Sequence, residues 1–446
     1  MTNEIKPHIS IAAIGHFDAG KSTALGHLLF KTGYLSAEFM NRLEKETINS
    51  RKESFKYAWI FDELDVERER ELTIYLKFKF FETEKFKITY IDTPGRNDFI
   101  KNMISGTSMA DCALFIISAA EAEFECGSSY GRAFDYLLIA RAVGVKQIIV
   151  GINKMDAINW SEDRFNQIRG ETQKVLKKLG YNTETIPFIP FSGLLCDNMI
   201  EHSTKMSWFK GCEIIKNDTV INCRTLVDAI NAIDVPLRLS EKPLRLNIHD
   251  VYETKDNHLI ASGRVNSGKI YNRGLISIAP GPIGNCHKIL SLRSHKNPID
   301  EGGPGDFVEL KLRKPDFPID RGSVFSCSIV DPSYEVSSFI AKMVILGQAE
   351  KIRIGYTPVI NCHTSTVACK ITKVFGIIDI KTDLIIESDL KNMKNCDEIL
   401  VEFVPTRPMC VETFNDYSSL GQFTVRDMCG IVAVGVIKEV FKNYRS

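Results

Sequence analysis

The amino-acid sequence predicts an α/β domain, a mostly parallel sheet with helices on both faces, followed by two β-barrel domains. Three observations carry that expectation. Strands and helices alternate through the first half of the 446 residues, the pattern of parallel strands joined by crossover helices. After Val235-Pro236 the texture shifts to short alternating runs broken by Ser262-Gly263, Asn266-Ser267-Gly268, Asn272-Arg273-Gly274 and Pro280-Gly281, the punctuation of barrels and sandwiches. A second turn-rich break at Asp331-Pro332 divides that stretch. The expected domains are 1–238, 239–331 and 332–446.

Each element has its own signal. His8 to Ile14 is a short apolar strand ending in Gly15, and Lys21 to Lys31 reads as a helix. Phe86 to Ile91, Cys112 to Ser118, Gln147 to Ile152 and Pro187 to Phe191 read as further strands, and Asp135 to Val143 as a helix. Phe165, Ile168, Val175, Leu176 and Leu179 fall on one face at helical spacing.

Composition narrows the class. Hydrophobic residues make up 44% and charged residues 25%, the balance of a soluble globular protein. Lys plus Arg equals Asp plus Glu at 56 each. Any nucleic-acid partner must therefore be held by a local basic patch rather than by the net field. The twelve cysteines show no C-x-x-C pair, and the grouping of Cys362, His363 and Cys369 lacks the spacing of a four-ligand zinc site. Reduced thiols in a reducing compartment are expected. Lys6-Pro7 before a short strand is no signal peptide, and the apolar run near Ala113 to Ala120 is too short to span a bilayer. The expectation is a cytoplasmic protein with no membrane partner.

Four motifs stand at strand ends, where open α/β sheets bind ligands. Gly15-His16-Phe17-Asp18-Ala19-Gly20-Lys21-Ser22 matches G-x-x-x-x-G-K-[ST] between a strand and a helix. Its backbone N–H groups and the helix N-terminus suit phosphate oxygens, Lys21 the outer phosphates and the Ser22 hydroxyl a Mg²⁺ ion. Asp92-Thr93-Pro94-Gly95 follows the next strand; Asp92 can hold Mg²⁺ through a water, and the Gly95 N–H can meet a γ-phosphate. Asn153-Lys154-Met155-Asp156 follows a third strand. The Asp156 carboxylate can accept from the N1–H and N2–H₂ of guanine, donors that adenine lacks, a mismatch worth roughly 10⁴-fold. Lys154 would lie along the base. Ser192-Gly193-Leu194, after a fourth strand, could complete the base pocket with backbone N–H groups. The expected cofactors are GTP/GDP and Mg²⁺.

Longer stretches resemble one family. Gly15 to Thr23 resembles the G-H-V-D-[SH]-G-K-[ST]-T loop of translational GTPases. Phe55-Lys56-Tyr57-Ala58-Trp59, Glu67-Arg68-Glu69-Arg70, Asp98 to Ile104, Trp208-Phe209-Lys210-Gly211, Gly355-Tyr356, Cys362-His363-Thr364, Pro408 to Glu412 and Val425 to Met428 resemble elongation factor 1-alpha. The resemblance covers nearly the whole chain. It implies a P-loop GTPase domain and two β-barrels that carry aminoacyl-tRNA to the ribosome. It also implies a guanine-nucleotide exchange factor as partner and a monomer. By position, Thr73 would be the switch threonine that ligates Mg²⁺ beside Ser22 and Asp92 in the GTP state only.

The sequence departs from that pattern at sites that matter. Arg96 stands where the family has the His that positions the attacking water. Arginine can stabilise charge but cannot orient water in the same way. With Asp18 and Lys21, Arg96 makes the candidate catalytic set. Glu71 replaces a glycine beside Thr73, Phe17 replaces a valine, and Asn266 replaces an acid that cradles the terminal adenosine. Gly131 to Tyr136 replaces G-Q-T-R-E-H, and Phe441 to Ser446 stands where relatives have a Lys-rich tail. Two readings stay open: an elongation GTPase, and a divergent GTP-binding paralogue acting as a slow switch or scaffold. A termination or rescue GTPase would carry a long N-terminal extension, whereas this chain enters its first strand by about Ile9. A GTPase subunit of sulfate adenylyltransferase would not match in the third domain.

Overall fold

The computed structural model describes residues 6–49, 55–61, 64–70, 73–120, 132–216, 218–378, 385–386, 394, 397–427 and 430–443. Glu71 and Leu72 of the switch segment, Gly131 and the last three residues lie outside them. Packing divides the chain into two units, one of the residues up to Pro236 except Ala142–Gly144, and one of those three with the residues from Leu237.

The first unit is built on a six-stranded sheet. Its strands are β1 (His8–Ile14), β2 (Lys77–Glu82), β3 (Lys87–Asp92), β4 (Cys112–Ser118), β5 (Gln147–Asn153) and β6 (Phe188–Pro190), in the order β2-β3-β1-β4-β5-β6. Only β2 runs antiparallel to its neighbour. The inner strands are continuous apolar runs because both faces are covered: β4 is buried at six of its seven positions. Register aligns the carboxyl ends, pairing Ala13 with Asp92 and Ser118 with Asn153. The loops after β1, β3 and β5 therefore open on the same edge.

The helices are α1 (Lys21–Lys31), α2 (Ala37–Asn49), α3 (Asp65–Arg70), α4 (Ile100–Ser108), α5 (Arg132–Ala142), α6 (Glu162–Lys178) and α7 (Leu226–Asn231). Helix α6 shows why its segment is helical. The Ser161 hydroxyl caps it by accepting from the Arg164 N–H, acids fill its first turn and lysines its last. Phe165, Ile168, Thr172 and Leu176 form its buried stripe, whereas Val175 and Leu179 are half-buried at its margin. Strand β2 is an element that the β/α alternation does not announce. Lys77-Phe78-Lys79-Phe80 carries the period-2 signal of a half-covered edge strand, and it adds to the sheet by pairing with β3.

The second unit holds two large antiparallel sheets, with strands between Arg245 and Cys327 and between Val336 and Lys442, and a small pair of Ile270–Tyr271 with Glu301–Gly302. In the later sheet the strands Val359–Cys362, Gln422–Asp427, Gly430–Lys442, Val336–Ile345, Glu398–Pro405 and Ser365–Ile378 pair in that order. The last also pairs with the first, so the sheet closes into a barrel. Phe339, Phe403 and Phe423 fill it, their ring centroids 5.5–6.3 Å apart. Arg245 is fully buried within this unit. It bonds Asp331 at 2.8 Å and Glu412 at 2.9 Å, with its guanidinium 4.2 Å from the Tyr417 ring centroid.

Candidate nucleotide site

The phosphate loop follows from glycine placement. Gly15 has φ 141°, and a Cβ there would stand 2.2 Å from the Ile116 carbonyl oxygen. Gly20 has φ 82° and forms the N-cap of α1; a Cβ on it would meet Asn153 Nδ2 at 2.4 Å. Asp18 turns the loop at φ 59° and is exposed. His16 is half-buried, its Nδ1 2.7 Å from the Phe17 carbonyl. Lys21 is buried, and its ammonium donates to the carbonyls of Gly15 at 3.0 Å and His16 at 2.8 Å. Burial lowers its pKa to about 8, against the pull of Asp92 and Asp18. It is a desolvated cation fixed beside a glycine nest, which is what a phosphate requires. Thr23 sits half-buried in the first turn of α1.

The three expected metal ligands converge. Ser22 Oγ donates to Asp92 Oδ2 at 2.6 Å and lies 3.2 Å from Thr73 Oγ1. Asp92 is fully buried, and desolvation raises its pKa to about 6 despite Ser22 and Lys21. Its other oxygen, Oδ1, is buried with no hydrogen-bond partner. A buried carboxylate with a spare oxygen, flanked by two hydroxyls, fits a hard cation such as Mg²⁺.

Two residues tie the switch segments down. Glu67 of α3 is fully buried, and its Oε1 accepts from the N–H groups of Ile74 at 3.0 Å and Tyr75 at 3.1 Å. Lys77 Nζ lies 3.5 Å from its Oε2. This buried acid holds the backbone that follows Thr73. Tyr136 of α5 donates its hydroxyl proton to the Gly95 carbonyl at 2.5 Å. Gly95 is pressed against the phosphate loop: a Cβ there would lie 2.5 Å from both Lys21 Nζ and Phe17 N. Sequence reasoning passed over both roles. Glu67 stood inside a charged run that read as a family signature, and Tyr136 inside a segment that read only as a departure from the family pattern.

Arg96 is exposed. It pairs with Asp98 at 3.3 Å, and its guanidinium carbon lies 5.9 Å from the centroid of the Phe17 ring, itself 39% exposed. Arg96 and Phe17, two of the departures noted in sequence, are thus brought together.

In the base loop, Asn153 Nδ2 donates to the Ala19 carbonyl at 2.8 Å, while its Oδ1 accepts from the N–H groups of Lys154 and Gly193, each at 2.8 Å. Asn153, expected among the nucleotide contacts, also bonds protein partners on both sides of its amide. Those bonds brace three loops. Lys154 takes φ 63°, and Asp156 Oδ1 is buried without a partner, which suits an acceptor meant for guanine N–H groups. Ser192 is fully buried and Leu194 is 44% exposed. His27 Nδ1 lies 3.0 Å from the Gly193 carbonyl, and the His27 ring stacks on Tyr57 at 3.8 Å.

With this geometry in place, comparisons with known proteins give a consistent answer. Residues 6–236 match the elongation factor Tu GTP binding domain, and residues 338–438 match the GTP-eEF1A C-terminal domain-like family. Elongation factor 1-alpha of Coccidioides immitis is 44% identical over 100% of this chain and 97% of its own length. That of Serendipita indica is 45% identical over 98% and 95%. Among solved structures, the Ski7 GTPase-like domain of S. cerevisiae has the same fold: TM-score 0.78 at 19% identity, with 97% of each chain covered.

Proposed function

The chain belongs to the elongation factor 1-alpha family of translational GTPases, and from that membership we propose that it carries aminoacyl-tRNA to the ribosomal A site as a GTP–Mg²⁺ complex. It is a GTPase, a hydrolase acting on GTP. One observation supports the carrier reading above others: Thr73 lies 3.2 Å from Ser22, which in turn bonds Asp92. That arrangement ties the order of the segment after α3 to whatever occupies the phosphate loop. Such coupling is what lets a γ-phosphate control a distant partner.

The roles follow from position. Loop N–H groups and Lys21 hold the phosphates, and Asp156 selects guanine. Ser22, Thr73 and Asp92 would hold Mg²⁺, which when bound neutralises charge on the phosphate oxygens. Gly95, pinned through its carbonyl by Tyr136, is positioned to offer its N–H to the γ-phosphate. Asn266 has a buried Nδ2 without a hydrogen-bond partner, a donor available for the terminal adenosine of tRNA where the family has an acid. Cytoplasmic location, a monomeric state and an exchange factor complete the proposal; among the described residues no helix is long and apolar enough to cross a membrane.

The test is protection of the ester bond of aminoacyl-tRNA from spontaneous hydrolysis by the GTP-loaded protein against the GDP-loaded protein. Nucleotide-dependent protection supports a carrier. Tight GTP binding without protection supports the second reading, a slow switch or scaffold. That reading is favoured by Arg96, which is engaged with Asp98 and Phe17 rather than standing as a water-orienting His.

A further inference from the structure

We propose that the earlier sheet of the second unit carries a binding site for phosphate oxyanions, in a cavity of about 600 Å³ lined by Arg273, His287, Lys288 and Arg313. The site is separate from the nucleotide motifs, and no role assigned above uses it.

The cavity gathers charge of one sign. Its lining includes three permanent or near-permanent cations and no acid. The chain as a whole is neutral, so this is a local concentration rather than a sample of the average surface. Arg273, Lys288 and Arg313 have no side-chain hydrogen bond or ion pair among the described residues. Their neighbour Lys314, by contrast, is taken up by Glu253 at 2.8 Å and does not belong to the set. Unpaired cations around one concavity repel each other, and a bound anion would relieve that cost.

One further observation points to a ligand. His287 Nε2 is buried in the lining without a hydrogen-bond partner, a polar atom that proteins rarely leave unsatisfied. The acid that acts on His287 is Asp316, outside the lining. Arg273 holds φ 63°, a left-handed conformation uncommon for a side chain of its size. The turn that holds it is closed by the Gly274 N–H on the Tyr271 carbonyl at 3.0 Å. Topology brings the cations together: Lys288 pairs with Leu275 two residues beyond Arg273, and Arg313 ends the strand Phe307–Arg313.

Two flat guanidinium forks and an ammonium match the tetrahedral oxygens of phosphate. A single RNA strand and a small free phosphate both offer that chemistry. Neither depends on the aminoacyl-tRNA reading, because the strand needs no amino acid and no GTP.

Cys286, exposed at the same cavity, supplies a reporter. The experiment uses the full chain, and follows alkylation of the Cys286 peptide by mass spectrometry with and without unacylated single-stranded RNA or pyrophosphate. In parallel, RNA affinity is titrated against salt for the parent and for Arg273→Gln/Lys288→Gln/Arg313→Gln. An RNA site predicts that RNA slows alkylation several-fold, and that the triple variant binds RNA at least tenfold more weakly. Its log–log salt slope should flatten by about two, at ~0.7 per phosphate contact on a single strand. A small-phosphate site predicts protection by pyrophosphate but not by RNA, lost in the variant. Unchanged GDP affinity in the variant controls for folding; should the variant misfold, protection of Cys286 in the parent decides alone. Equal alkylation with and without both ligands overturns the proposal.

Discussion

The Asn153 side chain and the Ala19 carbonyl are joined by a 2.8 Å hydrogen bond that fastens the base loop to the phosphate loop. The same amide oxygen holds the N–H groups of Lys154 and Gly193. Asn153→Ala therefore removes three hydrogen bonds, two of them buried, from one brace. At about 1 kcal/mol each, the loss is about 3 kcal/mol, or about a hundredfold in affinity. Because no phosphate is involved, GTP and GDP should weaken together. Titration with fluorescent nucleotides checks this, and selective loss of one nucleotide would contradict it.

Tyr136 and Gly95 make a second brace that acts on one nucleotide only. The Tyr136 hydroxyl holds the Gly95 carbonyl, and Gly95 lies against Lys21 Nζ and Phe17 N of the phosphate loop, where the proposed function puts its N–H toward the γ-phosphate. Tyr136→Phe keeps the ring and removes the bond. GTP affinity should fall by about fivefold, as expected for the loss of about 1 kcal/mol, with GDP affinity unchanged. The measurement is the ratio of the two dissociation constants; an unchanged ratio would show that the bond is merely structural.

Asp92 sets a pH dependence. Its pKa is raised by burial to about 6 from an ordinary value of 3.8, so between those values the folded state binds more protons than the unfolded state. Without metal, this group's contribution to stability therefore falls as pH rises from about 4 to about 6. Metal requires the carboxylate, so apparent Mg²⁺ affinity in the GDP complex should fall up to tenfold per pH unit below about 6. Titration of Mg²⁺-dependent nucleotide retention from pH 5 to 8 reads both limbs. A flat profile would mean that Asp92 is already ionised.

Much of the site was legible because phosphate and guanine recognition depend on short contiguous stretches. Gly15 to Ser22, Asp92 to Gly95 and Asn153 to Asp156 each lie on one turn after one strand, and the strand register does the rest. What was not legible depends on pairs that no contiguous motif joins. Glu67 acts on Ile74 and Tyr75 only because α3 folds back on the segment after it, and Tyr136 meets Gly95 across 41 residues. Arg245 reads as an ordinary strand residue. Its burial depends on Asp331 and on Glu412, 167 residues away. Period and motif carry no trace of such pairs.

Arg245 carries its own prediction. It is fully buried, with Glu412 6% exposed by side chain and Asp331 at 42%. Glu412→Ala would leave a buried guanidinium with one partly solvated acid. Breaking a buried pair in this way costs about 3–5 kcal/mol. Urea unfolding of the second unit should show that loss, and Arg245→Met in the same chain should recover most of it. Equal instability of single and double variants would mean that the acid stabilises through other neighbours.

Arg96 sets the rate-limiting question. Its guanidinium is held by Asp98 at 3.3 Å and lies over Phe17 of the phosphate loop. Arginine is charged at every accessible pH and cannot accept a proton from water. Arg96→His supplies a group that can both accept a hydrogen bond and turn. Single-turnover GTP hydrolysis on programmed ribosomes should then rise at least tenfold, about 1.4 kcal/mol off the barrier. Phe17→Val should add to it if the ring narrows the water's path, and less than additively because the two side chains are neighbours. Slower hydrolysis in Arg96→His would reverse the assignment. The arginine would then be stabilising transition-state charge as an in-chain finger, and the departure at this position would be a gain in catalysis rather than a brake.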